Sequence, residues 1–134
     1  MNQRWRHIHQ EIVAHSVASY PNEAGGVVVD GDQGLILIRE TASNSEDCYA
    51  LAAKTMLKAR RLGQIVSFYH SHPDTPARPS VQDFKVMQVG NTPLWPSVSW
   101  FIVSINGGQC VDIKEYIWNS RRLRFNAKTV RIND

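Results

Sequence analysis

The stretch Phe68-Tyr69-His70-Ser71-His72-Pro73-Asp74-Thr75-Pro76-Ala77-Arg78-Pro79-Ser80-Val81-Gln82-Asp83 changes character twice. Residues 64–70 form a β-branched and aromatic run that reads as a strand. Pro73, Pro76 and Pro79 then forbid regular helix or central strand across 72–79, so a stiff loop is expected there. Ser80 follows as an N-cap, and Val81-Gln82-Asp83-Phe84-Lys85-Val86-Met87 opens a helix with Asp83 in its first turn. Strand, loop and helix start in this order point to a mixed α/β chain.

The same stretch holds the chemistry. Histidines at i and i+2 near a strand end point to the same side, and a carboxylate from a nearby helix start completes a three-ligand set of the kind zinc takes. Three protein ligands leave one position of a zinc ion open, where water is acidified to a pKa of about 7. The prolines hold such ligands with little entropy left to lose. Upstream, Glu23 sits just before a strand beside the small residues Ala24, Gly25 and Gly26, which lets a carboxylate approach without crowding; it is the candidate general base. Ser80 is the candidate donor to an oxyanion. His7, His9 and His15 read as surface or packed residues: His7-x-His9 shows that the His-x-His spacing also occurs with no proline-rich loop or carboxylate after it.

Working outward, Ile8, Ile12, Val13 and Val17 recur at helical intervals and predict an amphipathic helix over 4–19. Residues 26–30 and 35–39 predict a hairpin around Gly31-Asp32-Gln33-Gly34. A polar loop over 41–47, a helix over 51–62 closed by Gly63, strands over 98–105 and 111–118 around Asn106-Gly107-Gly108, and a short basic strand over 121–125 complete the reading. Residues 87–97 have no evident role. No repeat or linker is visible, so residues 1–134 are expected to form a single α/β (α+β) domain, a mixed sheet covered by helices.

With 134 residues, 43% hydrophobic and 20% charged, the chain can bury a core and is not of the disordered class. A net charge of +3 falls short of the basic loading of a dedicated nucleic-acid binder. Cys48 and Cys110 lack metal-knuckle spacing and read as free cytosolic thiols. The N-terminus leads into no long apolar run, and no run approaches the roughly 20 residues of a membrane span, so a cytoplasmic protein with no membrane partner is expected.

Taken together, Glu23, then His70-Ser71-His72-Pro73, then Ser80-x-x-Asp83 resembles the JAMM (MPN+) metallopeptidase signature of the Mov34/JAB family. Tyr20-Pro21-Asn22-Glu23-Ala24-Gly25-Gly26 is similar to the family's glutamate segment, and Trp95-Pro96 leading to Ile102-Val103-Ser104 to its short prokaryotic members. The resemblance implies a cytidine-deaminase-like JAB/MPN fold with a curved mixed sheet. It also implies Zn2+ on His70, His72 and Asp83, catalysis by Glu23 and oxyanion help from Ser80. The implied reaction is hydrolysis of a peptide or isopeptide bond at the Gly-Gly tail of a ubiquitin-like protein, its conjugate or a sulfur carrier. Linkage selectivity is not implied, because the long insertion of eukaryotic isopeptidases is missing. Phage tail proteins are also among the relatives.

Two other readings stand beside this one. A non-catalytic MPN scaffold would lack zinc. A RadC-like, nucleic-acid-associated protein would use Arg121, Arg122 and Arg124, which read more simply as a solvated strand edge that discourages pairing. A nucleobase deaminase is set aside for want of Pro-Cys-x-x-Cys ligands. Oligomeric state is left open.

Overall fold

The computed structural model describes residues 3–40 and 52–131. Its elements are helix α1 (Gln3–Ser19), strands β1 (Gly25–Gly31) and β2 (Gly34–Arg39), helix α2 (Ala53–Leu62), strand β3 (Gly63–Pro73), helix α3 (Val81–Met87), the short strands β4 (Gln88–Val89) and β5 (Thr92–Pro93), and strands β6 (Ser99–Asn106), β7 (Gln109–Asn119) and β8 (Arg124–Thr129). The expected loop 41–47, Cys48 and the start of the second helix at residue 51 lie outside the described residues. Residues 87–97 form a small β4–β5 ribbon.

Six strands make one mixed sheet in the order β2-β1-β3-β6-β7-β8, antiparallel throughout except for the parallel β3–β6 pair. Successive strand residues face opposite sides, and both sides here are covered. Val27, Val29, Phe68, Trp100, Ile102 and Tyr116 pack with Ala59 of α2 and Met87 of α3. Val28, Tyr69, Phe101, Val103 and Ile113 pack with Ile8 and Ile12 of α1. This two-sided burial is why β1 and β6 read as continuous apolar runs instead of alternating ones. The mixed α+β sheet flanked by helices matches the expected fold class.

Three expectations need correction. Strand β3 does not stop at His70 but runs to Pro73, paired with β6 as far as Ile105. Ser71 N–H points toward β1, where it meets Ala24 O at 2.9 Å, while Asp74 N–H points the other way, to Ile105 O at 2.7 Å. By the same alternation the position of Pro73 faces the β1 side, just past the end of β1, so its missing N–H leaves no ladder bond unmade. The last strand begins at Arg124, not at 121. The Asn119 carboxamide oxygen accepts the N–H groups of Arg121 and Arg122 at 3.0 and 3.2 Å, and Leu123 takes φ 54°, so 120–123 is a turn. Finally, Val17 is 39% exposed; the buried face of α1 carries Ile8, His9, Ile12 and Ser16, with the Ser16 hydroxyl donating to Ile12 O at 2.8 Å.

Candidate metal centre

The β1–β3 ladder sets the first part of the site. Gly25 pairs with His70, and one step on, Ala24 and Ser71 are joined twice: Ser71 N–H to Ala24 O at 2.9 Å and Ala24 N–H to Ser71 Oγ at 2.8 Å. The register continued by one more residue sets Glu23 across from His72, on the face that also carries His70. Strand register therefore brings Glu23 to the histidines, which lie far from it along the chain. Ser71, which points to the other side, is fully buried and supplies the tie in place of a ladder carbonyl.

Helix α3 brings the third part. Ser80 is its N-cap, and Asp83 occupies N3 of a capping box: Asp83 N–H donates to Ser80 Oγ at 3.0 Å and Ser80 N–H donates to Asp83 Oδ2 at 2.8 Å. The box fixes the Asp83 carboxylate against the end of β3, where it is 1% exposed. The distances there are short and nearly equal. His70 Nε2 and His72 Nε2 are 3.2 Å apart, His70 Nε2 and Asp83 Oδ1 3.1 Å, and His72 Nε2 and Asp83 Oδ2 3.1 Å.

The hydrogen bonding identifies what these atoms offer. A carbonyl oxygen only accepts, so His72 Nδ1, 2.8 Å from Pro76 O, carries the proton, and Nε2 of the neutral ring is left as a lone pair. That lone pair faces a carboxylate and a second imidazole nitrogen inside the protein. Asp83 Oδ1 lies 3.1 Å from His70 Nε2 and accepts no hydrogen bond among the described residues. A buried imidazole lone pair and a buried carboxylate this close are costly unless a proton or other positive charge sits between them. The electrostatics agree. Burial alone would raise the Asp83 pKa, but its contacts with His70, His72 and Ser80 N–H outweigh that and push it well below the usual carboxylate range. Burial alone would lower the His72 pKa, and the Asp83 and Pro76 contacts, with the charges of Asp83 and Glu23, reverse the shift upward. His70, His72 and Asp83, all buried, can hold a metal ion.

A cleft of about 590 Å³ opens on this cluster, lined by Glu23, His72, Thr75, Pro76, Arg78, Pro79 and Ser80. All five residues singled out in the sequence thus lie in or at one place. Glu23 is half-buried at the cleft wall, and Ser80 sits at its rim. Sequence reasoning missed the Pro76 carbonyl that sets the His72 tautomer, the Ser71 tie and the exposed Arg78 in the cleft wall. A backbone carbonyl has no signature in a sequence. For Arg78 the available signal was a long cation placed between two prolines of the ligand loop.

Among known proteins, tail tip assembly protein K of Escherichia phage N15 is 31% identical over 91 residues, which cover 66% of this chain and 37% of that protein; the chain spans little more than a third of this curated relative's length. Two solution structures are similar in fold. A protein from Salinibacter ruber superposes with a TM-score of 0.62 at 25% identity, covering 96% of this chain and 89% of that one. A protein from Desulfitobacterium hafniense also gives 0.62, at 26% identity, covering 90% and 84%. The model of the prokaryotic homologs of the JAB domain matches residues 6–122, and with the fold and the His-His-Asp cluster in view, the chain belongs to the prokaryotic JAB domain family.

Proposed function

We propose that this JAB domain is a zinc-dependent peptidase that hydrolyses a peptide or isopeptide bond at the extended Gly-Gly tail of a ubiquitin-like protein, its conjugate or a sulfur carrier. The observation that carries the reading is the convergence of two buried imidazole nitrogens and a buried carboxylate beside an open cleft walled by a second carboxylate. With one ligand atom from each residue the atoms all lie within 4.8 Å of one another; the two imidazole nitrogens, 3.2 Å apart, approach the edge of about 3.3 Å that a tetrahedron with bonds of 2.0–2.1 Å requires, and two imidazole nitrogens with one carboxylate oxygen suit zinc. When bound there, zinc supplies Lewis acidity toward water and the substrate carbonyl.

The remaining work falls to the chain. Glu23, held across from His72 by the ladder, accepts a proton from the attacking water and returns it to the departing amine nitrogen as the C–N bond breaks. The Ser80 O–H donates to the carbonyl oxygen as charge builds on it. A tail of small residues can lie extended in the cleft with its carbonyl near the cluster, main-chain hydrogen bonds providing affinity. The likeness to a phage tail tip assembly protein favours a second setting for the same chemistry, a peptidase acting during tail assembly.

Zinc per chain, measured by elemental analysis on the protein, His72→Ala and Glu23→Gln, tests the assignment. Near-stoichiometric zinc is expected in the first and third and its loss in the second, with hydrolysis of a Gly-Gly-linked ubiquitin-like fusion only in the first. Wild-type protein that takes up no zinc after reconstitution would return the domain to the scaffold reading. A Glu23→Gln variant that cleaves at the wild-type rate would remove Glu23 as the base.

A further inference from the structure

Arg78 stands in the wall of the cleft shared by Glu23, His72 and Ser80, and its backbone is held on both sides. Its N–H donates to Pro76 O at 2.9 Å. Ala77 before it is 3% exposed, with its carbonyl accepting the Tyr116 hydroxyl at 2.6 Å, and Pro79 follows with a fixed φ. The side chain is exposed, and among the described residues no carboxylate forms an ion pair with it. A guanidinium on a rigid base beside a reaction site keeps its five donors for something that enters the cleft. Glu23 adds a negative charge to the same cleft. An anionic group on a substrate is therefore repelled at one wall and attracted at another, which orients it.

We infer that Arg78 is a specificity-determining residue that receives a carboxylate carried by the substrate next to the scissile bond. The inference rests on the peptidase reading above and narrows its substrates to peptides with an acidic group at that place. The group is either the α-carboxylate of a single leaving amino acid or an acidic side chain, since a planar guanidinium binds both in the same bidentate way. A neutral Gly-Gly tail joined to a lysine side chain within a folded protein offers less to this residue.

Binding of uncleaved peptides to zinc-loaded Glu23→Gln protein, by calorimetry, tests this without relying on turnover. The probes are a synthetic peptide ending in Gly-Gly-Ala with a free carboxylate, its C-terminal amide, and the amide with Glu replacing the final Ala. The free acid is expected to bind about tenfold more tightly than the Ala amide, as for one charge-assisted contact in a solvated cleft. In the Arg78→Gln background the difference should shrink to within about twofold, with Arg78→Lys in between. Tight binding of the Glu amide as well assigns the pocket to acidic side chains too, and weak binding restricts it to the terminal carboxylate. Equal affinity for acid and amide, no binding of either, or a preference that persists in Arg78→Gln overturns the inference. Hydrolysis of the amide by the unsubstituted zinc-loaded protein would in each of those cases leave the peptidase reading standing.

Discussion

Ser80 Oγ accepts the Asp83 N–H, while its own proton remains available to the cleft that Ser80 lines. Capping and donation can be separated, because glycine serves as an N-cap at a cost of only a few tenths of a kcal/mol whereas alanine costs about 1 kcal/mol. Ser80→Ala is expected to lower both stability and kcat. Under the proposed function, Ser80→Gly should melt near the wild-type temperature, take up zinc as the wild type does and still lose about 10²–10³ in kcat, the usual loss for one oxyanion donor. A glycine variant with full kcat would leave Ser80 as a helix cap alone. The residues that hold the cluster were readable because His70, His72, Ser80 and Asp83 lie within one short stretch whose strand end and helix start each have local signatures. Pro76 enters through its carbonyl and Ser71 through a bond to a distant backbone N–H, neither of which depends on neighbours in sequence.

At the level of elements, the site depends on how closely β1 lies on β3. Gly26 pairs with Tyr69, and a Cβ there would run into the Ile38 carbonyl oxygen and come within 2.6 Å of the Tyr69 ring. The ring itself is held by the Tyr69 hydroxyl, 2.7 Å from His15 Nδ1. With backbone on one side and a tethered ring on the other, Gly26→Ala has no cheap relaxation and is expected to cost about 1–3 kcal/mol. Urea unfolding should show a lower midpoint with an unchanged slope. A midpoint equal to wild type would mean that β1 can shift freely, and with it Glu23. The helices and the first hairpin were legible from periodicity and turn residues. The true end of β3 and the start of β8 were not, because they follow from where partner strands stop and from the Asn119 turn.

Across the whole molecule, sheet order was the least legible property: no local pattern announces that β3 pairs in parallel with β6. The packing of α1 over that sheet has a consequence for acid stability. His9 is 6% exposed, its Nδ1 has no hydrogen-bond partner, and its ring lies 5.9 Å from Trp5 and 5.2 Å from Phe101. Burial, aided by the charge of Lys128, lowers its pKa from 6.5 to about 4. Between those values the unfolded chain binds the proton and the folded one does not. This contribution is therefore complete above about pH 6.5, declines as pH falls toward 4 and is flat below, amounting to about 3 kcal/mol at most. His9→Phe should flatten that part of the stability profile measured by denaturation between pH 4 and 7. An unchanged slope would mean that other groups govern acid unfolding.

The Ala24–Ser71 tie spans forty-seven positions along the chain, whereas His72 and Asp83 are eleven apart. Loop closure over the shorter distance is the easier event, and long-range strand pairing is the slower one. A newly made or refolding chain can therefore gather its metal ligands before Glu23 is zipped into place. Metal capture and hydrolytic competence would then arrive in sequence, and the protein would pass through a loaded but inert stage while much of its own backbone is still exposed. For the peptidase proposed above, that order of assembly would be a safeguard against self-digestion.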